Sequence, residues 1–299
     1  MSLKRRINTI QNTSKITKAM SLVAAGQTNK IKLTLGNYHG YYDLLAKIMS
    51  HLAYTARSRF DEAGDFITID REITIKAIRS YLHLPKVDFY PNLKKDLYII
   101  ITSDKGLCGA FNSSLIKFFK EKAALNQEVL IIGKKGYDLI SKDRNYIILD
   151  DHYLDSNIKY LRDSIVEGKF TKKILTKLAE GYDRLFLVYN SFLSMLKQEV
   201  KIKQLFPILV PYSEASGSYA FESNPMEILA HTIPHYLHSL IYQALMNSSR
   251  SETAKRMMAM DQASENSKEI LAKLKLQYNS ERQAKVTKEL IEVISGISD

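Results

Sequence analysis

Three short constellations in this chain carry residue types that could do chemistry. The first is SDKGLCGAFN, Ser103 to Asn112. It leaves an apolar run and opens a helical one, so Gly106 and Gly109 could turn backbone N–H groups toward a phosphate. The segment lacks both G-x-G-x-x-G and a G-K-[ST] ending, which makes a tight strand-to-helix turn the plainer reading. Gly133-Lys134-Lys135-Gly136 after the next apolar run is a fainter version of the same pattern. Within the first turn, Cys108 stands where a helix dipole would lower a thiol pKa. No histidine can be paired with it from the sequence, so a structural or tolerated thiol is expected. The third constellation is His231, His235 and His238, spaced to share one helical face if Pro234 leaves the helix intact. No cysteine or acid is placed to complete a metal site there, and surface histidines are expected. Asp150 and Asp151 are adjacent, which points their side chains apart and argues against a paired acid and base. In each case the plainer reading of these residues is structural, without catalysis or a bound metal.

Those residues must be positioned by elements that glycine and proline delimit. Proline is absent before Pro85 and after Pro234, and glycine is absent between Gly217 and Gly296. The chain thus ends in a stretch free of helix breakers, which from Tyr236 to Ser295 would extend about 90 Å. Asn224, Pro225 and Glu227 form its start signal, and Pro234 is expected to kink or restart it. The N-terminal stretch holds one heptad register: Leu3, Ile7, Ile10, Ser14, Thr17, Ser21, Ala24, Thr28, Ile31, Leu35, Tyr38, Tyr42, Leu45, Met49, Leu52, Ala56. Its middle third is small, so a partner helix can come close but buries little apolar surface. Ile16, Met20 and Val23 form a second apolar line that one partner helix cannot cover. Leu237, Ile241, Ala244, Ser248 and Ser251 supply a matching seam, after which the phase drifts. Val286, Leu290, Val293 and Ile297 form a fresh stripe, widened by Ile291 and Ile294.

Between the helices, strand-like runs at Leu97–Thr102, Val129–Ile132, Tyr146–Leu149, Leu185–Tyr189 and Val200–Phe206 alternate with helical ones near Ser113–Ala124, Lys135–Lys142 and Thr171–Glu180. This predicts an α/β layer with a largely parallel sheet. The expected division is a helix over 1–59, a connecting segment over 60–84, a Rossmann-like domain over 85–215 and a C-terminal helix over 216–299. Domain ends tend to lie close together, so the two long helices would pair as an antiparallel coiled coil standing on a globe. The longer C-terminal helix would project an apolar tip needing an enclosing partner.

The 299 residues are 45% hydrophobic and 25% charged, the balance of a protein that buries a core. No apolar run reaches the roughly 18 residues that cross a bilayer. Lysine and arginine number 43 against 32 acids, an excess of 11 that favours acidic partners. The cations are spread along the chain without an aromatic RNA-binding signature or helix-turn-helix pattern, which argues against nucleic acid. The opening Met-Ser-Leu-Lys-Arg-Arg enters a helical pattern at once, so no signal or import leader is expected. With Cys108 alone, no intrachain disulfide forms, and a reducing compartment fits. Two further classes compete: a nucleotide-dependent α/β enzyme with helical arms, and a basic coiled-coil adaptor whose nucleic-acid binding would fall steeply with salt.

The run RRINTIQNTSKITKAMSLVAA resembles the opening of the F-type ATP synthase gamma subunit, whose hallmark is NT-x-KITKAM followed by VAA. The resemblance continues in order through SDKGLCGAFN, GKKG, SETAKRMMAMDQASEN and LQYNSERQAKVTKELIEVISG. It implies a central rotor shaft without a catalytic site, substrate or cofactor. Its partners would be the alpha and beta subunits of the catalytic ring, an epsilon-type subunit and the membrane rotor ring. The place implied is the cytoplasmic side of a bacterial inner membrane, held peripherally. Carried over by motif, Arg282, Gln283, Thr287 and Glu289 would meet the ring, with Met20 and Arg256 near the same shaft surface, and Lys15 and Lys18, in the matching N-terminal motif, as further partner contacts. Lys105 and Cys108 would lie in a turn toward the base. The chain departs from the family at Gly26-Gln27-Thr28-Asn29, where lysines are usual, at Lys105 in place of arginine, and at Ala110 in place of glycine. The stretch from Phe60 to Tyr81 reads longer than usual, and the alternation in FITIDREITIKAI predicts an extra hairpin.

Overall fold

The computed structural model describes residues 3–55, 59–60, 66–85, 95–149, 169–211 and 224–296. Helix α1 (Leu3–Thr55) opens the chain, followed by β1 (Arg59–Phe60), β2 (Phe66–Thr68) and α2 (Arg71–Tyr81). An alternating series comes next: β3 (Asp96–Ile101), α3 (Phe111–Lys122), β4 (Gln127–Ile132), α4 (Lys134–Ile140), β5 (Tyr146–Ile148), α5 (Lys169–Ala179) and β6 (Arg184–Phe192). Strands β7 (Gln198–Phe206) and β8 (Leu209–Pro211) then lead to α6 (Pro225–Gly296). The paired Asp150 and Asp151, Ala56, and Ile297 fall outside the described residues.

The central sheet has the order β5-β4-β3-β6-β7, parallel except for β7. Alternate residues of its strands feed two separate cores, the pattern of a sheet covered on both faces. Leu97, Ile99, Leu130, Ile132, Leu185 and Leu187 face α1, α2, α5 and α6. Tyr98, Ile100, Val129, Ile131 and Val188 face α3, where Leu115 and Phe119 are fully covered. Gly133, at φ +96°, is required where β4 turns into α4, since a Cβ there would lie 2.4 Å from the Thr102 carbonyl oxygen.

The long helices pair along the predicted seam. Every described position of the α1 register, from Leu3 to Leu52, is buried or half-buried. Helix α6 runs 72 residues, about 108 Å, capped by Asn224, whose Oδ1 accepts from Met226 N at 3.0 Å. Pro234 does not interrupt it; it lies inside the helix, buried at the root of the shaft. Part of α6 is also covered away from the α1 seam. Between Ile241 and Ala254, α6 is wedged between α1 and strand β6, so several of its sides are covered and no single stripe describes it.

The predicted hairpin in FITIDREITIKAI is corrected. FIT is strand β2, paired antiparallel with β1 and β8, but Asp70 then caps a helix by accepting from Glu72 N at 2.8 Å. The buried residues Thr74, Ile75, Ala77 and Ile78 have helical spacing, which outweighs the period-two alternation on either side of the cap.

Candidate functional site: the shaft surface and the turn beneath it

In the upper shaft the seam is held by hydroxyl groups. Thr28 Oγ1 lies 2.8 Å from Thr253 Oγ1, and Ser264 Oγ donates to Ser14 O at 3.3 Å. Lys18 Nζ pairs with Asp261 Oδ1 at 2.9 Å, and Ser21 Oγ reaches the same oxygen at 3.3 Å. The hydrogen bond and charge of each partner hold Lys18 above and Asp261 below their ordinary ranges. In these pairs the α6 number falls as the α1 number rises, which sets Leu3 opposite about residue 276. Among the described side chains, the last buried one on α6 is Leu274. The twenty or so residues beyond it reach past the end of α1 by about 30 Å.

That projecting tip carries Leu276, Val286, Leu290 and Ile291, all exposed, with Leu276 at 71%. Arg282, Gln283, Thr287 and Glu289, the ring-contact candidates, stand among them and are also exposed. Glu289 has Lys285 3.7 Å away on the preceding turn. Lys15 is exposed on α1, far from this group.

The remaining candidates gather around the turn between β3 and α3. Arg256 crosses from α6 to clamp it: Nη2 donates to Lys105 O at 3.2 Å and Nε to Gly106 O at 3.4 Å, while Nη2 also pairs with Glu252. Burial pushes the Glu252 carboxyl up from its ordinary range, and Arg256 opposes that shift. Below the clamp, Cys108 is buried, with Asn112 Nδ2 donating to its Sγ at 3.4 Å. Its thiol is raised chiefly by burial, the opposite of an activated nucleophile. Leu107 sits at φ +65° with its side chain 61% exposed. A leucine in the left-handed region is strained, and such strain is kept where the surroundings enforce it.

Leu107 closes the lower end of an open groove of about 460 Å³ lined by Ile16, Met20, Val23, Lys105 and Arg256. The second apolar line of α1 therefore runs along this groove, with Ile16 and Val23 exposed on it. Sequence reasoning found that line but not Leu107, Glu252 or Asp261. The only signal for Asp261 was its isolation as the sole acid between Glu252 and Glu265.

Open α/β sheets take nucleotides where neighbouring strands send their connections to opposite sides. Here that point lies between the carboxyl ends of β3 and β6, and the chain itself fills it. Asn190 Nδ2 donates to Phe111 O at 3.4 Å, and Ser251 Oγ of α6 donates to Asn190 O at 3.1 Å. The histidines do not converge: His231 and His235 are exposed, while His238 turns inward, its Nδ1 2.7 Å from Thr171 Oγ1. Among the described residues no group of three or more His, Cys, Asp or Glu is arranged to hold a metal, and no helix is long and apolar enough to cross a membrane.

The family model described as ATP synthase matches residues 1–298. The ATP synthase gamma chain of Geotalea daltonii is 33% identical over 99% of this chain and 96% of its own length. The chain belongs to the ATP synthase gamma-chain family. The gamma chain of Halothermothrix orenii, 32% identical over 98% of this chain and 96% of its own, gives the same result. The expectation drawn from the terminal motifs is thereby met. Among solved structures, the fold is similar to a chain in the rotor of the Euglena gracilis mitochondrial ATP synthase, at TM-score 0.58 and 16% identity, covering 95% of this chain and 97% of that one. The two chains thus share this fold of long terminal helices with a mixed sheet between them.

Proposed function

We propose that the chain is the central rotor shaft of an F-type ATP synthase and performs no catalysis itself. The bare tip of α6 carries this reading, because four large apolar side chains standing in solvent on a single helix call for a sleeve. A collar of alpha and beta subunits is that sleeve, with Arg282, Gln283, Thr287 and Glu289 meeting it first and Lys15, Lys18 and the Met20 groove below. Because the shaft presents different side chains at each angle, rotation changes which contacts each surrounding site makes. Those differential contacts shift the sites' equilibria between binding and release. The filled crevice at the sheet's switch point and the buried, raised thiol of Cys108 support a non-catalytic role. The base, on this reading, faces an epsilon-type subunit and the membrane rotor ring on the cytoplasmic side of a bacterial inner membrane. A chain ended at Ser280 should melt at the same temperature as the full chain, since no described side chain beyond it is buried. In the assembled complex it should lower ATP-coupled ion transport at least tenfold. Unfolding of the base, or unchanged coupling, would contradict the reading.

A further inference from the structure

Residues 66–81, within the Phe60–Tyr81 stretch that reads longer than the family's usual pattern, join the base at three places. Strand β2 pairs with β8 over Phe66–Thr68, and Ile69 N donates to Ile208 O at 3.0 Å. Helix α2 then lies across the root of α6: Ile75, Ala77 and Ile78 share one core with Leu229, Ile233 and Leu237, and Tyr81 meets the His235 ring edge-on at 6.0 Å. Finally, the arginines near its two ends reach the segment that links α5 to β6. Arg79 Nη1 donates to Ala179 O at 3.3 Å, on the last residue of α5, where cationic side chains satisfy orphan carbonyls. Arg71 Nη2 donates to Gly181 O at 3.2 Å, and its Nη1 pairs with Asp183 at 2.6 Å, one residue before β6 begins.

Packing of its apolar side chains in one core with α6, together with the arginine bonds to the connection between α5 and β6, makes α2 a crosspiece. We propose that residues 66–81 are a brace that fixes the root of α6 to the central sheet, so that α6 cannot roll against α1 at its lower end. Resting on the shaft reading above, the brace would deliver twist from the tip to the base. Helix α1 covers another side of the root through Met49 and Leu52, which are fully buried in the same core. Without α2, Leu229, Ile233 and Leu237 lose the cover that Ile75 and Ile78 provide.

The test is hydrogen exchange along α6 in the isolated full chain, comparing R71A/R79A with the unaltered protein. Residues 225–240 should exchange at least tenfold faster, while residues 253–274 of the upper shaft should not change. Equal acceleration along the whole helix, or none at the root, overturns the brace. Ile78→Val, which removes one methylene, provides the same comparison in a folded chain if the double variant does not fold. In the assembled complex, the variant should keep ATP hydrolysis while losing ion transport. If exchange at the root accelerates but transport is unaffected, the brace stands and the shaft reading fails.

Discussion

The lower and upper halves of the helical pair are built from different chemistry. At the root, Met49, Leu52, Leu237, Leu240 and Ile241 are almost completely buried, and Tyr42 stacks on Tyr236 with centroids 6.5 Å apart. Each fully buried side chain of this size contributes about 1.5–3 kcal/mol. In the upper half the seam consists of Ser14, Thr17, Ser21, Ala24 and Thr28 against Thr253, Ser264 and Ser267, and among the described residues its cross-helix ties are hydrogen bonds from hydroxyl groups and one exposed ion pair. Such contacts contribute about 0.5–1.5 kcal/mol per hydrogen bond and little for the exposed pair. The root is thus a core that happens to be helical, while the upper shaft is a slender pair held by small groups. Narrowness is what a shaft inside a collar requires, and an anchored root is what allows it to be narrow.

Substitutions should separate the two halves by size of effect. Leu52→Ala, at a position with no exposure, should cost about 2–5 kcal/mol in thermal unfolding of the isolated chain. Thr28→Ala in the upper seam should cost about 1 kcal/mol, because it removes one buried hydroxyl and leaves Thr253 with backbone acceptors at Ser249 and Arg250. A loss at Thr28 as large as that at Leu52 would erase the distinction.

The smallest effect expected is a pH dependence confined to the root. Burial, reinforced by nearby His235, holds the His238 imidazole below its ordinary 6.5, while Thr171 hydrogen-bonds its Nδ1. Well above pH 6.5 the ring is neutral whether folded or unfolded, and its contribution is complete. As pH falls below 6.5, the unfolded chain takes the proton first, so stability is lost until the folded ring protonates as well. Melting temperature should therefore drop between pH 7.5 and 5.5, and His238→Gln should flatten that drop. An unchanged slope in the variant would assign the acid sensitivity elsewhere.

How much of this was legible in the sequence differs between the same two regions. The heptad register of α1 was readable from Leu3 to Leu52, because its main partner along that length is α6 and it keeps one period. The α6 register was readable only to Ser251, because the stripe shifts phase there and is taken up again by Met260, Ser264, Ser267 and Leu274. Strands β3 to β6 were located to within a few residues, since their runs are largely apolar on both faces, and β7 was found from Val200 to Phe206. Helix α2 was not read as a helix, because Ile67, Ile69, Ile73 and Ile75 give a period of two that the Asp70 cap overrides. For the site, the family motifs named the tip and the turn together. Only the fold shows that Arg256 clamps the turn and that the Ile16–Val23 line opens onto Leu107, since these contacts join residues about 90 to 150 positions apart. Local spacing carries no trace of such contacts.

The central claim is that this chain turns as a body inside a collar built from other subunits. The most direct measurement fixes the complex to a surface through its alpha or beta subunits and attaches a rod to the base of this chain through Leu196→Cys, a position 78% exposed at the β6–β7 turn. The account predicts continuous one-way rotation of the rod that starts with ATP and stops when ATP is removed. A rod that stays still relative to the collar while ATP is being hydrolysed would contradict it.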